Sequence, residues 1–314
     1  MNAVPYTPAL KREWDAFVGR SKNGTFLFMR DYMDYHADRF TDHSLLFYDG
    51  PRLVALMPAN LASGEIISHG GLTYGGIITD DGMKVDPMRE VMDCLLLQAK
   101  AAGVSRVLYK AIPHIYHRVP AEEDLYALFR LGARLCRRDV SSTILLSAPL
   151  GYSKGRRGCV KKGLGSGIVI RESQDFDAYM RIEEAHLALK HNTKPVHSAE
   201  EIRLLAGRFP ANIRLFGAYL NETLLGGVIV YVSSRVAHAQ YICATEEGKE
   251  MGALDAVLAN LVEERFREAT YFDFGISTTD GGRALDVGLI ANKESFGARA
   301  TVYDFYEIPV DGPS

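Results

Sequence analysis

The sequence predicts an α/β (α+β) protein built from two similar halves, each a twisted mixed sheet flanked by helices. Three observations carry this prediction. A hairpin pattern occurs twice, apolar residues recur at helical spacing after each copy, and a glycine-rich basic stretch separates the copies. A chain of 314 residues is long enough for two domains of ordinary size.

The first half has a helical stretch over 28–40. Leu45-Leu46-Phe47-Tyr48, the turn Asp49-Gly50-Pro51-Arg52 and Leu53-Val54-Ala55-Leu56-Met57-Pro58 then read as a hairpin, two apolar runs joined by turn-forming residues. Gly76-Ile77-Ile78-Thr79 adds a strand. Met88, Val91, Met92, Leu95 and Leu96, spaced by three and four, make the apolar stripe of a helix, and Arg106-Val107-Leu108-Tyr109 follows as a strand.

The second half repeats this order. A helix over 176–190 precedes a hairpin whose arms are 215–219 and 224–230, joined by Leu220-Asn221-Glu222-Thr223. Tyr48 and Tyr219 hold matching positions. Strand 237–242, a helix bearing Leu254, Val257, Leu258, Leu261 and Val262, and strand 271–274 complete the copy. Each half is thus α–β–β–β–α–β, with helices covering a sheet.

The expected boundaries are 1–148, a connector at 149–170, and 171–314. Pro149, Gly151, Gly155, Gly158, Gly163, Gly165 and Gly167 break regular structure in the connector. Lys154, Arg156, Arg157, Lys161 and Lys162 place five cations in nine residues, either a solvated linker or a phosphate-contacting edge. A cleft between two domains is a preferred ligand site.

The charge balance excludes a protein held to nucleic acid or membrane by a global basic field: 36 Lys+Arg against 39 Asp+Glu give −3. Cys94, Cys136, Cys159 and Cys243 stand apart with no metal-ligand or disulfide spacing, so reduced thiols and no metal are expected. His191 and His197 flank a proline and form no metal set. The start has two prolines and no apolar core of a signal peptide, and no apolar run reaches the ~20 residues of a membrane span. A cytoplasmic protein is expected.

Several segments carry candidate chemistry. Ser68-His69-Gly70-Gly71-Leu72-Thr73-Tyr74-Gly75-Gly76 has four glycines in nine residues, which lets backbone approach a ligand and leaves His69 and Tyr74 as its large polar side chains. Lys110 follows directly on a strand, with His117 shortly after. Strand ends commonly face ligands in α/β sheets, so Lys110 suits an anion and His117 proton transfer. Asp273-Phe274-Gly275 lacks the other kinase motifs and reads as the end of a buried strand, its carboxylate near the cleft. Gly163-Leu164-Gly165-Ser166-Gly167 precedes a strand rather than a helix and reads as linker, not a dinucleotide loop.

The C-terminal succession Asp273-Phe274-Gly275, Asp286-Val287-Gly288-Leu289-Ile290 and Lys293-Glu294-Ser295-Phe296-Gly297-Ala298-Arg299 resembles the close of the second domain in FemAB-like tandem-GNAT acyltransferases, relatives of the peptidoglycan-bridge aminoacyltransferases. Lys194-Pro195-Val196-His197-Ser198 before a helix is similar to that family too. The resemblance covers nearly the whole chain. It implies two GNAT folds about a cleft and transfer of an acyl or aminoacyl group to the amine of a small acceptor, such as an amino sugar or a cell-envelope or polysaccharide precursor.

A domain of this kind that uses CoA carries Q/R-x-x-G-x-G/A at its central helix, where backbone N–H groups hold the pyrophosphate. Lys249-Glu250-Met251-Gly252-Ala253-Leu254 keeps the cation and first glycine but not the last small residue, and Lys84-Val85-Asp86-Pro87-Met88-Arg89 has no glycine. The donor is therefore acyl-CoA or aminoacyl-tRNA. The resemblance places Lys293 beside the reacting groups, at the donor phosphate or oxyanion. His69 or Asp273 would carry the proton path, and Tyr74 would position the acceptor or protonate the leaving group. Lys110 and His117 would bind substrate, as would Lys249 and Gly252. The other reading is a tandem-GNAT binding module, without chemistry, for a nucleotide-sugar or a partner protein.

Overall fold

The computed structural model describes residues 1–191 and 195–310. By its contacts the chain divides into two compact units. The first comprises Met1–Asp139, Thr279–Ala284 and the segment from Val302, and the second Val140–Thr278 with Leu285–Thr301. This differs from the contiguous 1–148 and 171–314 division, because late segments of the chain rejoin the first unit.

In the first unit, β1 (Asn2–Pro5) precedes α1 (Lys11–Arg20), which buries Trp14, Phe17 and Val18. The helix expected over 28–40 shrinks to α2 (Arg30–Met33) between short 3₁₀ turns. Met29 is extended, and Asp15 accepts the Arg30 N–H at 2.8 Å, so a new helix starts there. β2 (Thr41–Asp42), β3 (Leu45–Asp49), β4 (Arg52–Met57), β5 (Asn60–Ala62), β6 (Glu65–Ile67), β7 (Ile78–Thr79) and β8 (Arg106–Lys110) supply two ladders. One runs β1-β3-β4-β7, all antiparallel, with the expected hairpin as β3–β4. The other runs β2-β5-β6-β8, parallel only at β6–β8. α3 (Val85–Ala101) buries its predicted stripe of Met88, Val91, Met92 and Leu95, and α4 (Glu123–Arg130) packs against it.

β9 (Arg134–Leu145), a strand not foreseen, carries the chain into the second unit. The expected connector is not a linker. Ser153 caps α5 (Lys154–Leu164), which buries Val160 and Gly163. Gly163 lies so close to α9 (below) that a Cβ there would sit 2.3 Å from the Gly252 carbonyl oxygen. Glycine is what lets these helices touch. Arg156, one of the five cations, pairs with Asp255 and donates to Ser295 Oγ at 2.8 Å.

Then follow β10 (Val169–Ser173), α6 (Phe176–His191), α7 (Ala199–Arg208), β11 (Ile213–Leu220), β12 (Thr223–Val232) and β13 (Val236–Ala244). Ser198 and Glu201 form a capping box on α7. The central helix is broken. α8 (Glu246–Met251) ends at Gly252, whose φ of +76° few side chains accept, and α9 (Ala253–Asn260) starts anew before a π turn at Leu261–Arg265. β14 (Tyr271–Ile276), the small ladder of β15 (Thr278–Thr279) with β16 (Ala284–Leu285), and α10 (Val287–Glu294) complete the unit. Its strand order is β10-β11-β12-β13-β14-β9, antiparallel except for β13–β14. β17 (Arg299–Pro309) returns the chain to the first unit, where Phe305 pairs with Lys110 of β8.

Candidate active site

The parallel β13–β14 ladder stops early. Val236, Ala237 and His238 pair with Tyr271, Phe272 and Asp273, yet β13 runs on to Ala244 and β14 to Ile276. The strands diverge at the pair His238–Asp273. On the far side of β14 the register with β9 slips between Asp273 and Ile276, and Gly275 takes a φ of +77°. Backbone groups that a regular ladder would consume are thereby turned toward side chains.

Asp273 is fully buried. Ser141 Oγ and Thr143 Oγ1, both on β9, donate to its Oδ1, the latter at 3.0 Å. Its Oδ2 lies 2.7 Å from His238 Nδ1. An ionised carboxylate can only accept, so the imidazole proton sits on Nδ1 and the Nε2 lone pair is left for chemistry. His238 is 12 % exposed at its side chain, enough to reach a substrate from a shielded position.

Lys293 arrives from α10, which Asp286 caps by accepting from the Leu289 N–H at 2.8 Å. Its ammonium donates to the carbonyls of Gly275 and Ile276, each at 2.8 Å. Two of its three N–H bonds are thus placed, and the third is available to a substrate oxygen. Burial pulls its pKa down to about 8, opposed by the charges of Asp273 and Asp286. Phe296 packs against Phe274, with ring centroids 5.5 Å apart, and a Cβ on Gly297 would lie 2.2 Å from the Leu150 carbonyl oxygen. These contacts fix the lysine's stem. His238 and Lys293 converge on Gly275: a Cβ there would lie 4.0 Å from His238 Nε2.

The other predicted site residues are placed elsewhere. In the first unit Lys110 is buried and donates to the carbonyls of His69, at 3.1 Å, and Leu72. Burial, with Arg137 adding to the effect, lowers its pKa to about 7. It holds the glycine-rich loop closed rather than pointing at an open strand end. His69 has a φ of +54°, and burial beside His36 and Lys110 lowers its pKa to about 3. Tyr74 donates to Thr25 Oγ1 at 3.1 Å inside the core. His117 Nε2 bonds the Ile112 carbonyl at 3.0 Å, and burial lowers its pKa to about 4. Both histidines are neutral packing groups at physiological pH.

In the second unit, Gly252 is buried beneath α5, a Cβ on it lying 3.0 Å from the Cys159 carbonyl oxygen. That contact, not an open anion cradle, explains the glycine. Lys249 Nζ bonds Glu246 at 2.6 Å and His186 at 3.4 Å beside a cavity of about 670 Å³ lined by Ala178, Ile182, Ala185, Leu224 and Ala244. His197 Nδ1 lies 2.6 Å from the Tyr241 hydroxyl, and Lys194 falls outside the described residues. Among the described residues no group of three or more His, Cys, Asp or Glu is placed to hold a metal, and no helix is long and apolar enough to cross a membrane.

His238, Ser141 and Thr143 are the residues that sequence reasoning missed. The available signal was a histidine set between alanines, Ala237-His238-Ala239, on a strand adjacent to the one bearing Asp273.

Residues 153–281 match the acetyltransferase (GNAT) domain family. No curated protein sequence matches the chain. Among solved structures the fold is similar to that of FemX, at TM-score 0.67 and 12 % identity over 97 % of both chains. It is similar to L-PGS from Bacillus licheniformis, at 0.64 and 13 % over 96 % of this chain and 91 % of that one. A tandem GNAT protein from the clavulanic acid biosynthesis pathway matches at 0.55 and 13 %, over 100 % and 99 %. Residues 153–281 thus carry a domain of the GNAT family, and the fold along the chain is similar to that of FemX and of a tandem GNAT protein.

Proposed function

We propose that this protein transfers an acyl or aminoacyl group from an activated carrier to the amine of a small acceptor, with chemistry at the divergence of β13 and β14. The observation that carries the reading is the His238–Asp273 pair with Lys293 on the same turn of backbone, the first two inside the segment that matches the GNAT family. An amine of pKa ~10 is about a thousandfold short of its nucleophilic form at pH 7. His238 Nε2 takes that proton, which frees the nitrogen's lone pair to attack the carbonyl carbon, and Asp273 stabilises the imidazolium. The remaining Lys293 N–H donates to the oxyanion as the tetrahedral intermediate forms. Collapse then breaks the carbonyl–carrier bond, the carrier leaving with the imidazolium's proton, and the new amide nitrogen releases its second proton to water.

The buried Gly252 supports a donor whose grip does not depend on the usual pyrophosphate turn, which favours aminoacyl-tRNA over acyl-CoA. The acceptor class we propose is an amino sugar or a cell-envelope precursor, consistent with the fold shared with FemX. The test offers acyl-CoA thioesters and aminoacyl-tRNAs separately, with amino-sugar nucleotides as acceptors, and reads the acceptor mass. A mass gain that needs His238 and Lys293 supports the proposal. Equal product from wild type and from the combined His238→Ala/Lys293→Met protein overturns it.

A further inference from the structure

The second unit has another cavity of about 670 Å³ whose lining includes none of His238, Asp273 and Lys293. Leu146, Leu150, Val160, Leu164 and Val262 line it, with Arg157 and Lys161 on its rim. Two of the lining residues are aliphatic side chains that a protein surface normally hides: Leu150 is 48 % and Leu164 59 % exposed. On α5 the residues Arg157, Lys161 and Leu164 follow at four and three, one ridge of the helix. Lys154 and Lys162 are exposed beside it, and no Asp or Glu occurs between Pro149 and Ile170. The opposite wall is different: Glu263 stands beside the Tyr152 hydroxyl, and Arg267 is paired with Glu268. The unbalanced positive charge therefore belongs to α5.

We infer that this face of α5 docks on an anionic membrane surface, its cations meeting lipid phosphates while Leu150 and Leu164 enter the acyl boundary. Basic residues flanking exposed leucines on one helix face are the pattern of an interfacial contact, which needs no spanning segment. RNA would satisfy the cations alone, because a phosphate–sugar backbone offers nothing aliphatic to two exposed leucines and an apolar groove. The membrane accounts for both features. The inference is independent of acyl transfer, since binding is read without turnover.

The full chain is sedimented with vesicles of phosphatidylglycerol and phosphatidylcholine, and with vesicles of phosphatidylcholine alone. Association with the anionic vesicles only, weakened by salt, is expected. Lys154→Glu/Lys161→Glu lowers it by about thirtyfold or more, near the sum of two surface cations. Leu164→Ser, at an exposed position that folding does not need, weakens it as well. No sedimentation, equal binding to both vesicles, or variants that bind like wild type overturns the inference. So does self-association that Leu164→Ser abolishes, or binding of bulk tRNA with none to vesicles.

Discussion

Asp273 Oδ2 stands 2.7 Å from His238 Nδ1, and these two residues form the last rung before their strands separate. The carboxylate thereby chooses the tautomer. Asp273→Asn can donate its amide to Nδ1 and move the imidazole proton to Nε2, where it blocks the base. We expect both Asp273→Asn and His238→Ala to lower kcat/KM by ~10²–10⁴ with folding retained, checked by steady-state kinetics beside circular dichroism. Wild-type rates in both would remove His238 from the proton path.

Lys293 gives a pH signature. With its pKa at about 8, it is mostly cationic at neutral pH and loses its charge above that value. Rate should fall on the alkaline side of about 8, and Lys293→Arg, which keeps its charge there, should lose that limb even at reduced rate. Lys293→Met should cost on the order of 10²–10³ in kcat, the loss of one oxyanion donor.

Lys110 predicts a change in stability rather than in rate. Its folded pKa of about 7 lies below the 10.5 of an exposed lysine. Between these values the unfolded chain binds a proton that the folded chain has released, so this group's contribution to stability rises with pH. It is least favourable below about pH 7, where both states are charged. The stability of wild type relative to Lys110→Met should improve from pH 7 to pH 10 in denaturant titrations. A constant difference would show that Lys110 is not shielded from water.

Gly163→Ala tests the packing of α5 on the broken helix. Its Cβ meets the Gly252 oxygen at 2.3 Å and the Ala256 Cβ at 2.9 Å, and backbone cannot yield as a side chain does. We expect destabilisation of ~1–3 kcal/mol, measured by thermal unfolding. Gly158→Ala, with nothing within 4 Å of a Cβ, is the matched control.

Local patterns carried much of the fold. The hairpins 45–57 and 213–232, and the α3 stripe, were legible because alternation and three-four spacing are short-range signals. β9 and β17 were not. Arg134-Leu135-Cys136-Arg137-Arg138 alternates poorly, and its strand character comes from partners distant in sequence. The connector misled because six glycines outweigh helix propensity in a local reading, whereas Gly163 is required by a neighbouring helix. Lys293 was picked out by family resemblance, and the structure places it beneath the turn at Gly275. His69, Lys110 and His117 looked reactive because lone polar residues near strand ends resemble sites, and their burial is visible only in three dimensions. His238 depended on a parallel register that no spacing announces.

The return of β17 has a consequence for biosynthesis. From Val302 onward the chain belongs to the unit that was translated first. A ribosome-bound nascent polypeptide therefore holds that unit incomplete, with the partner position beside β8 vacant, until the segment from Val302 has emerged. The later-translated unit closes before the earlier one, so a premature stop just ahead of Val302 would harm the amino-terminal half more than its neighbour.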